Sequence, residues 1–201
     1  MSLAFDRFTV VLDACVLFPM TVRDVLLTLA NHEFFNPKWS ASLHEEWGTN
    51  LAARRQTAGL QGDVQAQVTA TRQSMDRAFP DALVNDVLPE TADVAPVDPK
   101  DRHVVMTAIA ARADAIVTFN LRDFAAQHLL QTFEIEVLHP DQFILDLIDL
   151  QEKRAVVAFK EMRARKKMPP WSADEFIDRI RRSGLVQTAA WLEREDVKPL
   201  V

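Results

Sequence analysis

Apolar positions along the chain fall into short β-branched runs separated by stretches with helical spacing. Phe8-Thr9-Val10-Val11-Leu12 is such a run, and it predicts a buried strand ending at Asp13. From about Thr21, Val22, Val25, Leu26 and Leu29 recur at helical intervals. Ser42, with Glu45 three residues on, resembles a capping box and predicts a second helix running through Glu46 towards Arg55. Gly59 and Gly62 mark a break, after which Asp63 caps a third helix striped by Val64, Val68, Thr71 and Met75. Residues 86–97, rich in Pro, Asp and Val, read as a loop with room for a short strand. Asp98-Pro99 then combines a capping side chain with proline at a first helical position. The helix it predicts carries Val104, Val105, Ala108 and Ile109 on one face. Ala115–Phe119 and Ile135–Leu138 are two further core strands. Strands alternating with helices imply an α/β fold with a mostly parallel sheet covered on both faces.

Beyond Pro140 the pattern turns wholly helical. Asp141 is expected to cap a helix through Leu150, and another continues to Lys167. Met168-Pro169-Pro170 breaks it, Ser172 with Glu175 forms a second capping box, and Gly184 is a helix stop. Helices at about 173–183 and 187–195 carry Phe176, Ile177, Ile180, Leu185, Trp191 and Leu192, a small apolar satellite. The chain therefore divides into an α/β domain, 1–147, and a small all-helical C-terminal region, 148–201.

With 201 residues, 48% hydrophobic and 26% charged, the chain can bury a core without disulfides or structural metal. Its single cysteine, Cys15, excludes a disulfide framework or zinc cluster and fits a reducing compartment. No apolar stretch is long enough to span a membrane, and the start, with Asp6 and Asp13 around a short apolar run, is no signal peptide. A cytoplasmic location is expected. Charge is unevenly spread: residues 1–150 hold 11 Lys/Arg and 21 Asp/Glu, residues 151–201 hold 12 and 8. An acidic body with a basic tail differs from a uniformly acidic protein.

Four carboxylates sit where an α/β fold places its sites. Asp13 ends the first strand and Asp123 follows the strand at 115–119, at the carboxyl ends where ligands bind in parallel sheets. Asp101 lies in the first turn of its helix, and Glu46 in the first turns of another. Taken singly, each reads as a solvated loop carboxylate or a cap. Converging without a basic partner, they would repel one another, and a hard cation resolves that repulsion.

VVLDACVLFP at 10–19, SASLHEEW at 40–47 and DPKDRHVVMTAIAARADAIVTFNLRDF at 98–124 resemble the PIN-domain family, in particular the VapC-type toxin ribonucleases. The resemblance spans about residues 8–140. It implies a PIN-like α/β/α sandwich with a central, mostly parallel sheet, and an acidic cluster that binds Mg²⁺ or Mn²⁺ and cleaves RNA. Carried over by position, the catalytic and metal-binding acids are Asp13, Glu46 rather than Glu45, Asp101 and Asp123. Asp98 is then a helix cap and Asp114 a loop residue. Asn120 stands where many relatives carry an aspartate, and lines the site with Thr118. Ala14 and Cys15 stand where relatives often place Thr or Ser and then Asn, so a hydroxyl near the metal or phosphate is missing. Such toxins usually dimerise and are blocked by an antitoxin protein, so a homodimer and an antitoxin are the expected partners beside RNA. Two other readings remain: a PIN nuclease for RNA processing without an antitoxin, and a module that binds metal or RNA but has lost catalysis.

His44 and His103 read as ordinary helix residues, and His103, two positions after Asp101, is expected to face away from it. Cys15 reads as a small buried hydrophobe. Arg163, Arg165, Lys166 and Lys167 form the densest positive cluster and are the expected contacts to RNA phosphates. Trp171 is expected to pack rather than stack on a base.

Overall fold

Val10, Val11 and Leu12 have no exposed surface, as a strand with neighbours on both edges requires. The computed structural model describes residues 8–57 and 63–201, with the side chain of Gln56 left aside. The break expected at Gly59 and Gly62 lies outside the described residues, as do residues 1–7. Five strands form one sheet: β1 (Thr9–Leu12), β2 (Asn36–Ser40), β3 (Leu83–Val84), β4 (Ala115–Val117) and β5 (Glu136–Leu138). Their order is β3-β2-β1-β4-β5, and all four pairings are parallel. The chain belongs to the α/β class that the alternation of strands and helices implies.

Two of the five strands escape the hydrophobic pattern. β2 reads Asn-Pro-Lys-Trp-Ser, in which proline and lysine hide the strand. Pro37 is tolerated because β3 pairs only with Trp39 and Ser40, leaving a local edge beside it. β3 has two residues and precedes the 86–97 loop, which holds a 3₁₀ turn at Ala92–Val94 instead of a strand.

The described residues divide into two compact units. Phe8–Phe18 and Asn36–Leu138 form the sheet unit, with α1 (Ala14–Leu17), α3 (Ala41–Thr57), α4 (Val64–Ala78), α5 (Arg102–Ala111) and α6 (Ala126–Phe133). α5 packs on β1, β2 and β4 through Val104, Val105 and Ala108, all fully buried. Pro19–Phe35 and His139–Val201 form the other unit, with α2 (Met20–Asn31), α7 (Pro140–Leu150), α8 (Glu152–Ala164), α9 (Ala173–Arg182) and α10 (Val186–Leu192). The division falls after Leu138, and α7 runs across residues 147 and 148. The apolar satellite of the tail is a fuller core: Phe159 meets Phe176 and Trp191, and α2 packs against α8 and α9. Among the described residues no helix is long and apolar enough to cross a membrane.

Helix starts show where local signals compete. Asp63 caps α4, and Ser172 with Glu175 forms a full capping box on α9, as expected. Gly184 ends that helical stretch at a φ of 95°, which suits glycine. The second helix instead takes its cap from Ser40, whose Oγ accepts the Leu43 N–H. Ser42 lies inside α3. Asp98 closes a turn by accepting the Lys100 N–H, and α5 begins only after Asp101. α7 is capped by His139, not Asp141. The Asp141 carboxylate is buried and accepts from the Gln187 and Thr188 backbone and the Thr188 hydroxyl, so it caps α10 from another helix.

Gly48 gives this packing a direct test. A Cβ there would lie 2.8 Å from Val68 Cγ1, between α3 and α4. Gly48→Ala gains about 1 kcal/mol of helix propensity but overpacks a stiff β-branched neighbour at about 1–3 kcal/mol. Urea unfolding should show net destabilisation on the order of 1 kcal/mol. In a Val68→Ala background the same change should become neutral or stabilising, and an equal penalty in both backgrounds would contradict the contact.

Candidate active site

In the strand order, β2 and β3 lie on one side of β1, and β4 and β5 on the other. The order of winding across the sheet therefore reverses between β1 and β4, and the crevice beyond their carboxyl ends is where such sheets bind ligands. Asp13 stands at the end of β1, its backbone N–H donating to Val117 O of β4. Thr118 follows β4 directly, and Asn120 leads into the 3₁₀ turn Leu121–Phe124 that carries Asp123. The loop before α5 is fastened to that turn, since Asp98 N–H donates to Asp123 O at 2.8 Å and Asp101 N–H to Asp98 O at 2.9 Å.

Asp13 is 1% exposed. Its Oδ2 accepts from the Thr118 hydroxyl at 2.7 Å and the Cys15 thiol at 3.0 Å. Burial pushes the carboxyl pKa above the ordinary range, and the charge of Glu46 adds to that, while the two donors pull it back. Cys15 Sγ also accepts from the Phe119 N–H. Burial and the Asp13 charge push the thiol up to about 12, so it remains an S–H donor and no nucleophile. The thiol thus donates to Asp13, a polar role that the reading of Cys15 as a small hydrophobe misses.

Asp101 takes the N-cap position of α5 without capping it through its side chain. Its pKa is raised to about 6, first by burial and then by the charges of Asp13, Asp123, Glu46 and Asp98. Carboxylates from α3, the end of β1, the start of α5 and the turn after β4 therefore act on one another. Glu46 is half-buried and Glu45 exposed, and Glu46 acts on both Asp13 and Asp101. Asp123 and Asn120 are exposed, and Thr118 is fully buried, passing a hydrogen bond from the Asn120 N–H towards Asp13.

His103 meets a site acid other than Asp101. Its Nε2 lies 3.0 Å from Glu46 Oε2, and that hydrogen bond is the main cause of its raised pKa. Positions two apart on one helix do diverge, but the partner comes from α3, which same-helix spacing does not address. His44, in contrast, is buried in a structural network. It accepts from the Trp47 indole and meets Asp76, which also takes the Trp39 indole N–H.

All-oxygen carboxylate donors, one of them almost fully buried and another raised in pKa by burial and by its neighbours, are the ligand set that a hard divalent cation favours. Among the described residues no three His, Cys, Asp or Glu side chains already close around an ion. Like charges relax apart, and a cation would have to draw them in.

The basic cluster belongs to the helical unit. Arg165 bonds Glu161 and the Thr28 hydroxyl, and Lys166 pairs with Asp24. Arg163 reaches the Trp171 carbonyl at 3.4 Å, and Lys167 is exposed. Trp171 is half-buried, with Lys166 Nζ 5.2 Å and Arg179 Cζ 4.2 Å from its ring centre.

Residues 9–122 match the family described as PIN domain, and residues 140–194 match the VapC50 C-terminal domain. A curated relative, "Putative ribonuclease VapC50" of Mycobacterium tuberculosis, is 37% identical over 81 residues, 40% of this chain and 47% of that protein. The match thus spans about half the relative's length. No solved structure matches.

Asp101 yields a signed prediction about pH. Its folded value lies above the ordinary 3.8, so the fold binds this proton better than the unfolded chain does. Its contribution is fullest below about pH 4 and is lost as pH rises through about 6. In EDTA, Asp101→Asn should therefore be more stable than wild type at about pH 7.5. After discounting for screening of a half-exposed group, the gain is on the order of 1 kcal/mol. The gap should close at about pH 4, and a gap independent of pH would contradict the crowding.

Proposed function

The chain belongs to the PIN-domain family, and on that premise we propose that it is a metal-dependent endoribonuclease that hydrolyses RNA phosphodiester bonds. The observation that carries this reading is geometric: backbone bonds through Asp98 fasten the segment bearing Asp101 to the turn bearing Asp123, His103 engages Glu46, and Asp13 ends the central strand, so acids from separate parts of the chain come into reach of one another. Among the described residues no lysine or arginine offsets the charges acting on Asp13 and Asp101, and carboxylates crowded in this way repel one another unless a cation joins them.

Asp13, Glu46, Asp101 and Asp123 would hold Mg²⁺ or Mn²⁺. Bound there, such a cation supplies a water of lowered pKa and neutralises charge on the phosphoryl oxygen. The protein's own groups do the positioning. Thr118 and Cys15 fix Asp13 through Oδ2, and His103 fixes Glu46. Asp101, its pKa raised to about 6 by burial and by the neighbouring carboxylates, would be held ionised by a bound cation. Asn120, beside Thr118, offers a neutral oxygen where relatives carry a charge. Hydrolysis of this kind needs no RNA 2′-OH and leaves 5′-phosphate and 3′-hydroxyl ends.

The second family match, over residues 140–194, supports a VapC-type toxin, which would act as a homodimer in the cytoplasm and be held inactive by an antitoxin protein. An antitoxin reading frame beside the gene would support that assignment over an RNA-processing nuclease.

Cleavage of total cellular RNA should require Mn²⁺ or Mg²⁺ and stop in EDTA. Asp13→Asn should lose at least about 100-fold in rate, the scale of losing a charge-stabilising group in a site. Glu46→Gln should fall with it while Glu45→Gln stays within about twofold. Mn²⁺ should also raise the thermal midpoint, through binding to the folded state alone. An Asp13→Asn protein that cuts RNA as wild type does would overturn the proposal.

A further inference from the structure

The helical unit carries a solvent-open cavity of about 360 Å³ lined by Arg163, Ala164, Lys166, Lys167, Pro170 and Trp171. Three of its six lining residues are cationic, and Arg179 lies against the same indole, 4.2 Å from the ring centre. Among the described residues Lys166 has a carboxylate partner, Asp24, while no ion pair engages Arg163, Lys167 or Arg179. Cations gathered around one cavity repel each other, and a bound oxyanion would relieve that repulsion.

We propose that this cavity is an anion site for the phosphodiester backbone of single-stranded RNA, formed by Arg163, Lys166 and Lys167 with Arg179, and organised by Trp171. The inference rests on the ribonuclease reading for its choice of polyanion. Residues 1–150 carry 21 acidic side chains against 11 basic ones and repel a phosphate backbone, so attraction must come from the basic stretch that follows. The contacts are charge to charge. Lys166 and Arg179 already lie over the indole, so the ring holds cations in place rather than offering a free face to a base. The site also differs from the sequence cluster. Arg165 is engaged by Glu161 and Thr28, and Arg179, fourteen positions away along the chain, takes its place.

The test is binding of a fluorescein-labelled single-stranded RNA oligomer to the full chain in EDTA, where nothing is cut, followed across salt concentrations. Trp171 gives a second readout, because the other three tryptophans are buried and its fluorescence should respond to RNA. The triple variant Arg163→Ser, Lys167→Ser, Arg179→Ser should bind at least about tenfold more weakly. Its log–log salt slope should be shallower by about 2, at roughly 0.7 per lost phosphate contact. Arg165→Ser should change neither quantity. Circular dichroism melting should show both variants folded.

Unchanged RNA binding in the triple variant overturns the proposal. So does an Arg165→Ser loss as large as that of the triple variant, which would mean diffuse surface charge. Binding of poly-glutamate without binding of RNA overturns it too, in favour of an acidic protein partner. The nuclease reading fails separately: RNA bound through this cavity by a protein that cuts none with Mn²⁺ leaves the anion site standing and the catalytic proposal refuted.

Discussion

One buried carboxylate constrains the sheet unit. Asp13 sits at the end of the central strand, almost without exposed surface, in a crevice that other acids also face. Burying a charge is expensive unless hydrogen bonds or an opposite charge compensate. Two side-chain donors, from Thr118 and Cys15, supply part of that compensation. Glu46 works against it, and at Asp101 burial, with the charges of Asp13, Asp123 and Glu46 behind it, raises the pKa to about 6. The fold therefore keeps an electrostatic debt at the switch point of its sheet, and a divalent cation is the species whose charge and oxygen preference would settle it.

The surrounding structure serves that arrangement. β1 and β4 bring Asp13 and Thr118 together across 105 positions of chain. Buried Leu43 and Trp47 anchor α3 one turn apart, which leaves Glu46 half-exposed towards His103. Ser40, which caps α3, also accepts from Thr107 of α5, so the helices carrying Glu46 and Asp101 are linked by a buried hydroxyl pair at 3.1 Å. Site geometry here follows from helix starts and strand ends, the places where backbone groups need partners anyway.

Much of this was legible because the informative segments are locally consistent. β1, β4 and β5 are apolar runs, Asp63 and Ser172 are unambiguous caps, and the acids fall at strand ends and helix starts. What escaped detection depended on contacts distant in sequence. β2 is a strand because β1 and β3 flank it, although its own residues argue otherwise. The pattern of α2 marks a helix, but nothing in it says that its apolar face packs with α8 and α9 in the second unit. Asp141 looks like a cap for its own helix and instead caps α10, 46 positions on. His103 meets Glu46 only because the fold brings α3 to it. Such partners leave no mark in local spacing.

The central claim is that the four carboxylates share a hard cation. The most direct measurement is the anomalous scattering of manganese in crystals soaked in Mn²⁺. The account predicts a strong peak at the carboxyl ends of β1 and β4, with oxygens of Asp13 and Asp101 at roughly 2.1–2.2 Å, as hard cations of this size require, and Glu46 and Asp123 in the same coordination sphere or one water removed. The peak should disappear in Asp13→Asn. No peak at saturating Mn²⁺, or one held by other residues while Asp13 stays bonded only to Thr118 and Cys15, would contradict it.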